Sequence, residues 1–193
     1  METRSIGESG TDAAVYQAAC LAGGGPGVNV HTVNVPAATM AARFALFNDD
    51  TAGGADSDLD LIVVGPNGAI TSSGNGGSNE RVELVQPAAG AYKVCVIGYE
   101  PAGGEAEYKL SSWVLKEGAI NGNFKALVPA YSYVGGTGTV SMSWSGLAAN
   151  QRHLGALRYV VNGATQGLTM VEVNTNDPLP QFDAPRRAVV LAK

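Results

Sequence analysis

The chain has 193 residues, with 12 Lys and Arg against 17 Asp and Glu, for a formal charge of −5. That balance lacks the basic footprint of nucleic-acid binders and of proteins that hold an anionic membrane, so neither partner is expected. Charged residues are 15% and hydrophobic ones 45%, with 26 Gly and 9 Pro, which argues against disorder and for short strands joined by tight turns.

In chain order, residues 1–27 read as a loosely packed leader or connector. They hold one helix-like patch from Ala13 to Ala19 and end in Gly23-Gly24-Gly25-Pro26-Gly27. The first residues lack the apolar core of a signal peptide, so none is expected in this chain. From residue 28 onward period-2 alternation dominates. Strands are expected at Val28 to Val35, Phe44 to Phe47, Leu59 to Val64, Arg81 to Val85, Ala91 to Ile97 and Tyr108 to Leu115. Turn-formers separate them: Pro66-Asn67-Gly68, Gly74-Asn75-Gly76-Gly77, Ala89-Gly90 and Pro101-Ala102-Gly103-Gly104. This spacing predicts a β-sandwich over residues 28–116.

A linker begins near Lys116, and a small β unit is expected over 117–175. Its clearest strand is Thr139 to Ser145, where Val140, Met142 and Trp144 share one face; packing in a core is the expected role of Trp144. Phe124 to Val128, His153 to Val161 and Leu168 to Val173 supply three more strands. Residues 176–193 form a tail whose Pro178, Pro180 and Pro185 forbid a regular helix or central strand. The fold class is therefore all-β, two antiparallel sandwich units.

Catalytic residues are not expected. The two histidines, His31 and His153, fall in no HExxH or similar zinc pattern, and no G-x-S-x-G elbow occurs. Calcium is the sharper expectation. Asn48, Asp49, Asp50, Asp56, Asp58 and Asp60 gather hard oxygen donors in a short stretch, and Asp56, Asp58 and Asp60 alternate so that an extended chain aims all three to one side. The candidate ligands are Asp49, Asp56, Asp58 and Asp60; the plainer reading is a solubilising acidic loop. Tyr131 and Tyr133 lie in a turn-rich stretch and, with Trp113, are candidates for a binding surface, against a purely packing role. Cys20 and Cys95 fit one disulfide or two buried thiols, and the residues alone leave this open.

Asp58-Leu59-Asp60-Leu61, then Gly65-Pro66-Asn67-Gly68, then Pro87-Ala88-Ala89-Gly90-Ala91-Tyr92-Lys93-Val94 resembles the bacterial pre-peptidase C-terminal (PPC) domain. Further on, Gly138-Thr139-Val140, Ser143-Trp144-Ser145-Gly146-Leu147 and Arg152-His153-Leu154-Gly155-Ala156-Leu157 resemble the fibronectin-III-like segment that ends secreted subtilisin-like proteases. The two together cover about residues 28–173. The resemblance implies a non-catalytic, secreted accessory region whose partners are a protease catalytic domain and insoluble protein substrate. It implies a β-sandwich that aids adhesion, secretion or stability. It carries calcium binding onto Asp58 and Asp60 alone, and secretion favours a Cys20–Cys95 disulfide. A carbohydrate-binding or adhesin-like sandwich and a structural spacer are the alternatives.

Overall fold

The computed structural model describes residues 3–118, 124–131 and 133–175. The chain divides into two units, Met1–Ala119 and Ile120–Lys193. The first unit contains β1 (Thr3–Gly7), α1 (Ala13–Ala22), β2 (Val28–Val35), β3 (Thr39–Ala45), β4 (Asp58–Val64), β5 (Ile70–Ser73), β6 (Arg81–Val85), β7 (Gly90–Glu100), β8 (Glu105–Lys109) and β9 (Ser111–Lys116). All strand pairs are antiparallel. They form a four-stranded sheet in the order β2-β7-β4-β5, a three-stranded sheet β6-β3-β9, and a β1-β8 ribbon.

The sheets bury a single apolar layer. Leu59, Leu61 and Val63 of β4 and Tyr92, Val94 and Val96 of β7 pack with Ala42 and Phe44 of β3, Val82 of β6, Ile6 of β1 and Tyr108 of β8. This is the sandwich that the alternation predicts. Yet β4 and β7 are apolar on both faces, which an antiparallel sheet with one wet side would not require. Their second face carries Ile62, Val64, Cys95 and Ile97, covered by α1 through Tyr16, Ala19 and Cys20.

The stretch before residue 28, expected to be a leader, thus contributes a strand and a helix to the unit. α1 has ten residues, too short to hold itself together in water. Asp12 caps its start, its Oδ1 accepting the Ala14 N–H at 2.9 Å. Gly23 ends it in the left-handed region at φ 104°. Cys20 and Cys95, both fully buried, are joined by a disulfide with an S–S distance of 2.04 Å, fixing the helix to β7.

Two further differences from the sequence reading have physical causes. The apolar run Tyr108 to Leu115 is two strands, not one. The chain breaks at Leu110 and passes from the β1-β8 ribbon to the three-stranded sheet, so both halves remain apolar while changing partners. The strand expected at Phe44 begins earlier, at Thr39, because Ala41 and Ala42 lie on a central strand covered on both sides.

The second unit is built from β10 (Phe124–Leu127) paired with β11 (Ser141–Trp144), and β12 (Arg152–Val161) paired with β13 (Ala164–Asn174). The β12-β13 hairpin turns through Asn162 and Gly163, whose φ of 50° and 79° suit the tight primed turn that Asn-Gly favours. Each pair is a two-stranded ribbon, and the two meet at Gly155 of β12, where a Cβ would lie 3.9 Å from the Phe124 ring of β10. Trp144, expected in a core, is instead 48% exposed, and Met142 on the same strand is exposed too. The tail 176–193 and the linker residues 119–123 lie outside the described residues.

Candidate functional site

The polar centre of the first unit lies where β4 meets the loop between β5 and β6. Asp58 and Asp60 occupy alternate positions on β4, on the same face as Ile62 and Val64. Opposite them, residues 74–80 form a loop whose shape is set by side-chain hydrogen bonds. The Asn48 Oδ1 accepts the Ser78 N–H at 2.8 Å, and the Asn79 Oδ1 accepts the Asn48 N–H at 3.0 Å. Ser78 Oγ donates to the Ser57 carbonyl. These bonds carry Glu80 inward, to 1% exposure. There its carboxylate accepts the Asn75 N–H at 2.6 Å and the Asn75 side-chain amide at 3.2 Å. Gly74 closes on Asp60 so tightly that a Cβ there would lie 3.1 Å from Asp60 Oδ1.

Three carboxyl groups, Asp58, Asp60 and Glu80, therefore share one partly dry region. Burial, then the charges of Asp58 and Glu80, push the Asp60 carboxyl up to about 6. Asp58 is raised by burial and by Glu100, against a lowering hydrogen bond from the Gly77 N–H. Glu80 is raised chiefly by burial and also by the Asp58 charge, against hydrogen bonds from Ser73 and Asn75 that lower it. The site reaches the helix: Tyr16 of α1 is raised first by burial and next by the charge of Asp60. Asp58 Oδ1 is buried with no hydrogen-bond partner, a condition that costs free energy.

Of the four aspartates expected to ligate calcium, the structure brings Asp58 and Asp60 together. It leaves Asp49 and Asp56 exposed on two short 3₁₀ turns, 48–50 and 54–56. The chain is not extended through Asp56, so the alternation that placed Asp56 with its neighbours does not apply. Glu80 takes the third place. It was not legible because it is a lone acid in a polar loop, brought in by contacts from Asn48 and Ser57, far away in sequence. The donor chemistry suits a hard cation, and the orphaned Asp58 Oδ1 is an oxygen that a cation would satisfy. Among the described residues, however, no three His, Cys, Asp or Glu side chains converge closely enough to hold a metal ion.

The remaining candidates lie elsewhere. Trp113 is half-buried on β9, registered opposite Arg43 and facing away from the core-side Val114. Arg43 is itself buried and hydrogen-bonds Glu83. In the second unit Tyr131 and Tyr133 are each 82% exposed. His31 Nε2 lies 2.8 Å from the Tyr108 hydroxyl, and His153 Nε2 lies 3.0 Å from the Ala148 carbonyl. No helix among the described residues is long and apolar enough to cross a membrane. No protein-family model and no curated protein sequence matches the chain.

Proposed function

We propose that this chain is the non-catalytic C-terminal accessory region of a secreted subtilisin-like serine protease, holding that enzyme to insoluble protein substrate or aiding its secretion and stability. The observation that carries the reading is the packing of two PPC-like motif segments, the Gly65–Gly68 turn and the Pro87–Tyr92 corner. Asp58–Leu61 and Ala91–Val94 lie on the neighbouring strands β4 and β7, in which Val63 and Val64 pair with Val94 and Lys93 and Asp58–Leu61 pair with residues 96–100. The Gly65–Gly68 turn packs on the Pro87–Tyr92 corner, where the Tyr92 hydroxyl donates to the Ala88 carbonyl at 3.0 Å. The fully buried Cys20–Cys95 disulfide supports an oxidising compartment, as secretion requires.

A hard cation at Asp58 and Asp60, with calcium the natural choice, is part of the proposal. Its support is the orphaned Asp58 oxygen and the crowding of like charges, which a divalent ion would relieve. Drawing Glu80 or backbone oxygens into a coordination shell would require the 74–80 loop to close further. A sugar-binding reading has one observation in its favour, the exposure of Tyr131 and Tyr133, whose rings are free to stack on a saccharide.

Co-sedimentation with insoluble collagen, keratin, elastin, chitin and cellulose, with calcium and with chelator, separates these. Retention on protein fibres supports the protease-accessory reading, and retention on polysaccharide alone replaces it with the sugar module. Retention on nothing leaves secretion, stability or spacing as the role.

A further inference from the structure

An Asn-Gly pair is a labile point in any chain, because glycine has no side chain to obstruct attack by its own nitrogen on the asparagine amide. The sequence holds four such pairs, at 67–68, 75–76, 121–122 and 162–163. Asn121 and Gly122 lie outside the described residues, and the fold treats the other three pairs differently.

At Asn67 the attacking nitrogen is engaged, since the Gly68 N–H donates to the Gly65 carbonyl at 2.9 Å. The side chain is held as well, its Oδ1 accepting the Ala69 N–H at 3.2 Å. At Asn75 the side-chain amide donates to the Glu80 carboxylate at 3.2 Å and to Ser73 Oγ at 3.4 Å, and the Asn75 N–H donates to the same carboxylate at 2.6 Å. Attack there would also build negative charge beside a buried carboxylate, which like-charge repulsion opposes.

Asn162 and Gly163 lack these restraints. They form the two-residue link between β12 and β13, following Val161 and preceding its partner Ala164, and both are exposed. Among the described residues, neither the Asn162 side-chain amide nor the Gly163 N–H has a hydrogen-bond partner. Val160 and Val161 are exposed too, so little packing opposes local opening of this end of the hairpin.

We propose that Asn162 is a self-modification site, at which the folded chain converts asparagine to isoaspartate and aspartate with water as the only co-reactant. The Gly163 nitrogen bonds to the Asn162 Cγ, the Cγ–Nδ2 bond breaks, and the displaced amide leaves as ammonia with the Gly163 proton. Water then opens the cyclic imide at either carbonyl. One opening gives aspartate; the other routes the main chain through the former side-chain carbon and gives isoaspartate. No group is oxidised or reduced. Either product adds a negative charge beside Val160 and Val161, and isoaspartate lengthens a link whose two-residue length sets the Val161–Ala164 register. The hairpin therefore carries a slow, one-way clock, independent of the function proposed above.

The test ages the full chain at mildly alkaline pH, folded and in concentrated urea. Residues 67, 75 and 162 are followed by peptide mapping with electron-transfer fragmentation, which separates isoaspartate from aspartate. In the folded chain residue 162 is expected to convert about tenfold faster than 67 or 75, the scale set by the hydrogen bonds that hold those two sites. In urea the three rates are expected to converge, because the restraints are gone. The aged fraction should also exchange its amide hydrogens faster than fresh protein at residues 160–165. Conversion at 67 or 75 that keeps pace with 162 in the folded chain, a folded chain in which 162 stays intact, or a lead at 162 that persists undiminished in urea would each overturn the proposal.

Discussion

Gly90, at the start of β7, lies against Pro66: a Cβ built on Gly90 would stand 2.6 Å from the Pro66 Cβ. The two residues belong to separate turns, and the contact locks the 65–68 turn onto the corner that leads into β7. Tyr92 completes the lock, since a Cβ at Gly65 would stand 3.3 Å from its ring. Gly90→Ala is therefore expected to destabilise the first unit by about 1–3 kcal/mol, the scale of forced overpacking. Urea titration checks this. An unchanged midpoint would mean that the turn yields freely and that the contact is incidental.

Reduction of the Cys20–Cys95 bond removes a cross-link that spans 75 residues. Closing a loop of that length in the unfolded chain corresponds to about 4.5 kcal/mol on the chain-entropy account, and removal of native disulfides typically costs about 2–5 kcal/mol. The double change Cys20→Ala with Cys95→Ala is expected to lower the melting temperature by that measure. Limited proteolysis should then cut first between residues 13 and 27, since α1 loses its tether to β7. Cleavage elsewhere first would show that the helix is held by its apolar contacts alone.

The Asp60 carboxyl is held at about 6 in the folded protein against 3.8 for its ordinary value. Between those values the folded protein retains a proton that the unfolded chain has released, so stability decreases as pH rises through this window. Burial raises Asp58 and Glu80 too, which adds in the same direction. Asp60→Asn is expected to flatten this slope and to raise stability at pH 7 by about 1 kcal/mol, after allowance for the water that reaches a half-buried group. Melting curves from pH 4 to pH 7 test the sign. Greater wild-type stability at pH 7 than at pH 5, in chelator, would contradict it.

Calcium should act on the same carboxylates in the opposite sense. If the ion is held at Asp58 and Asp60, millimolar calcium raises the melting temperature at pH 7 by mass action and cancels the benefit of acid. Asp58→Ala should abolish the calcium effect, whereas Asp56→Ala, at an exposed turn, should leave it intact. Equal loss in both variants would return the acidic stretch to a diffuse, solubilising role.

Tyr131 and Tyr133 are exposed enough that their replacement by Ala should leave the melting curve within about 0.5 kcal/mol of wild type. Reduced retention on an insoluble carrier would assign them to its surface. Unchanged retention on every carrier would remove them from consideration.

Strand periodicity made much of the first unit legible: β2 and β6 alternate apolar with polar residues, and β4 and β7 stand out as apolar runs bounded by turn-formers. What escaped was held by long-range partners. β1 has one fully buried side chain, Ile6, too little for any pattern. α1 shows a helix-like patch, but only its bond to β7 explains why it belongs to the fold. The acidic site was half legible: Asp58 and Asp60 sit on a recognisable strand, whereas Glu80 arrives through the hydrogen bonds of Asn48 and Ser78. Asp49 and Asp56 do not share a strand face with Asp58 and Asp60, because the chain curls into 3₁₀ turns at 48–50 and 54–56 and strand alternation does not run through them.

The pairing of β1 with β8, Thr3 opposite Lys109, sets an order of assembly. The first strand has no partner until residues 105–109 have been synthesised, so Ile6 stays in water while the rest of the chain emerges. Contacts of such separation slow folding. Oxidation of Cys20 with Cys95 comes within reach ten residues earlier and draws α1 onto β7, shortening the search that β1 must make. A chain whose thiols are blocked should therefore refold with β1 docking late, as the slowest step.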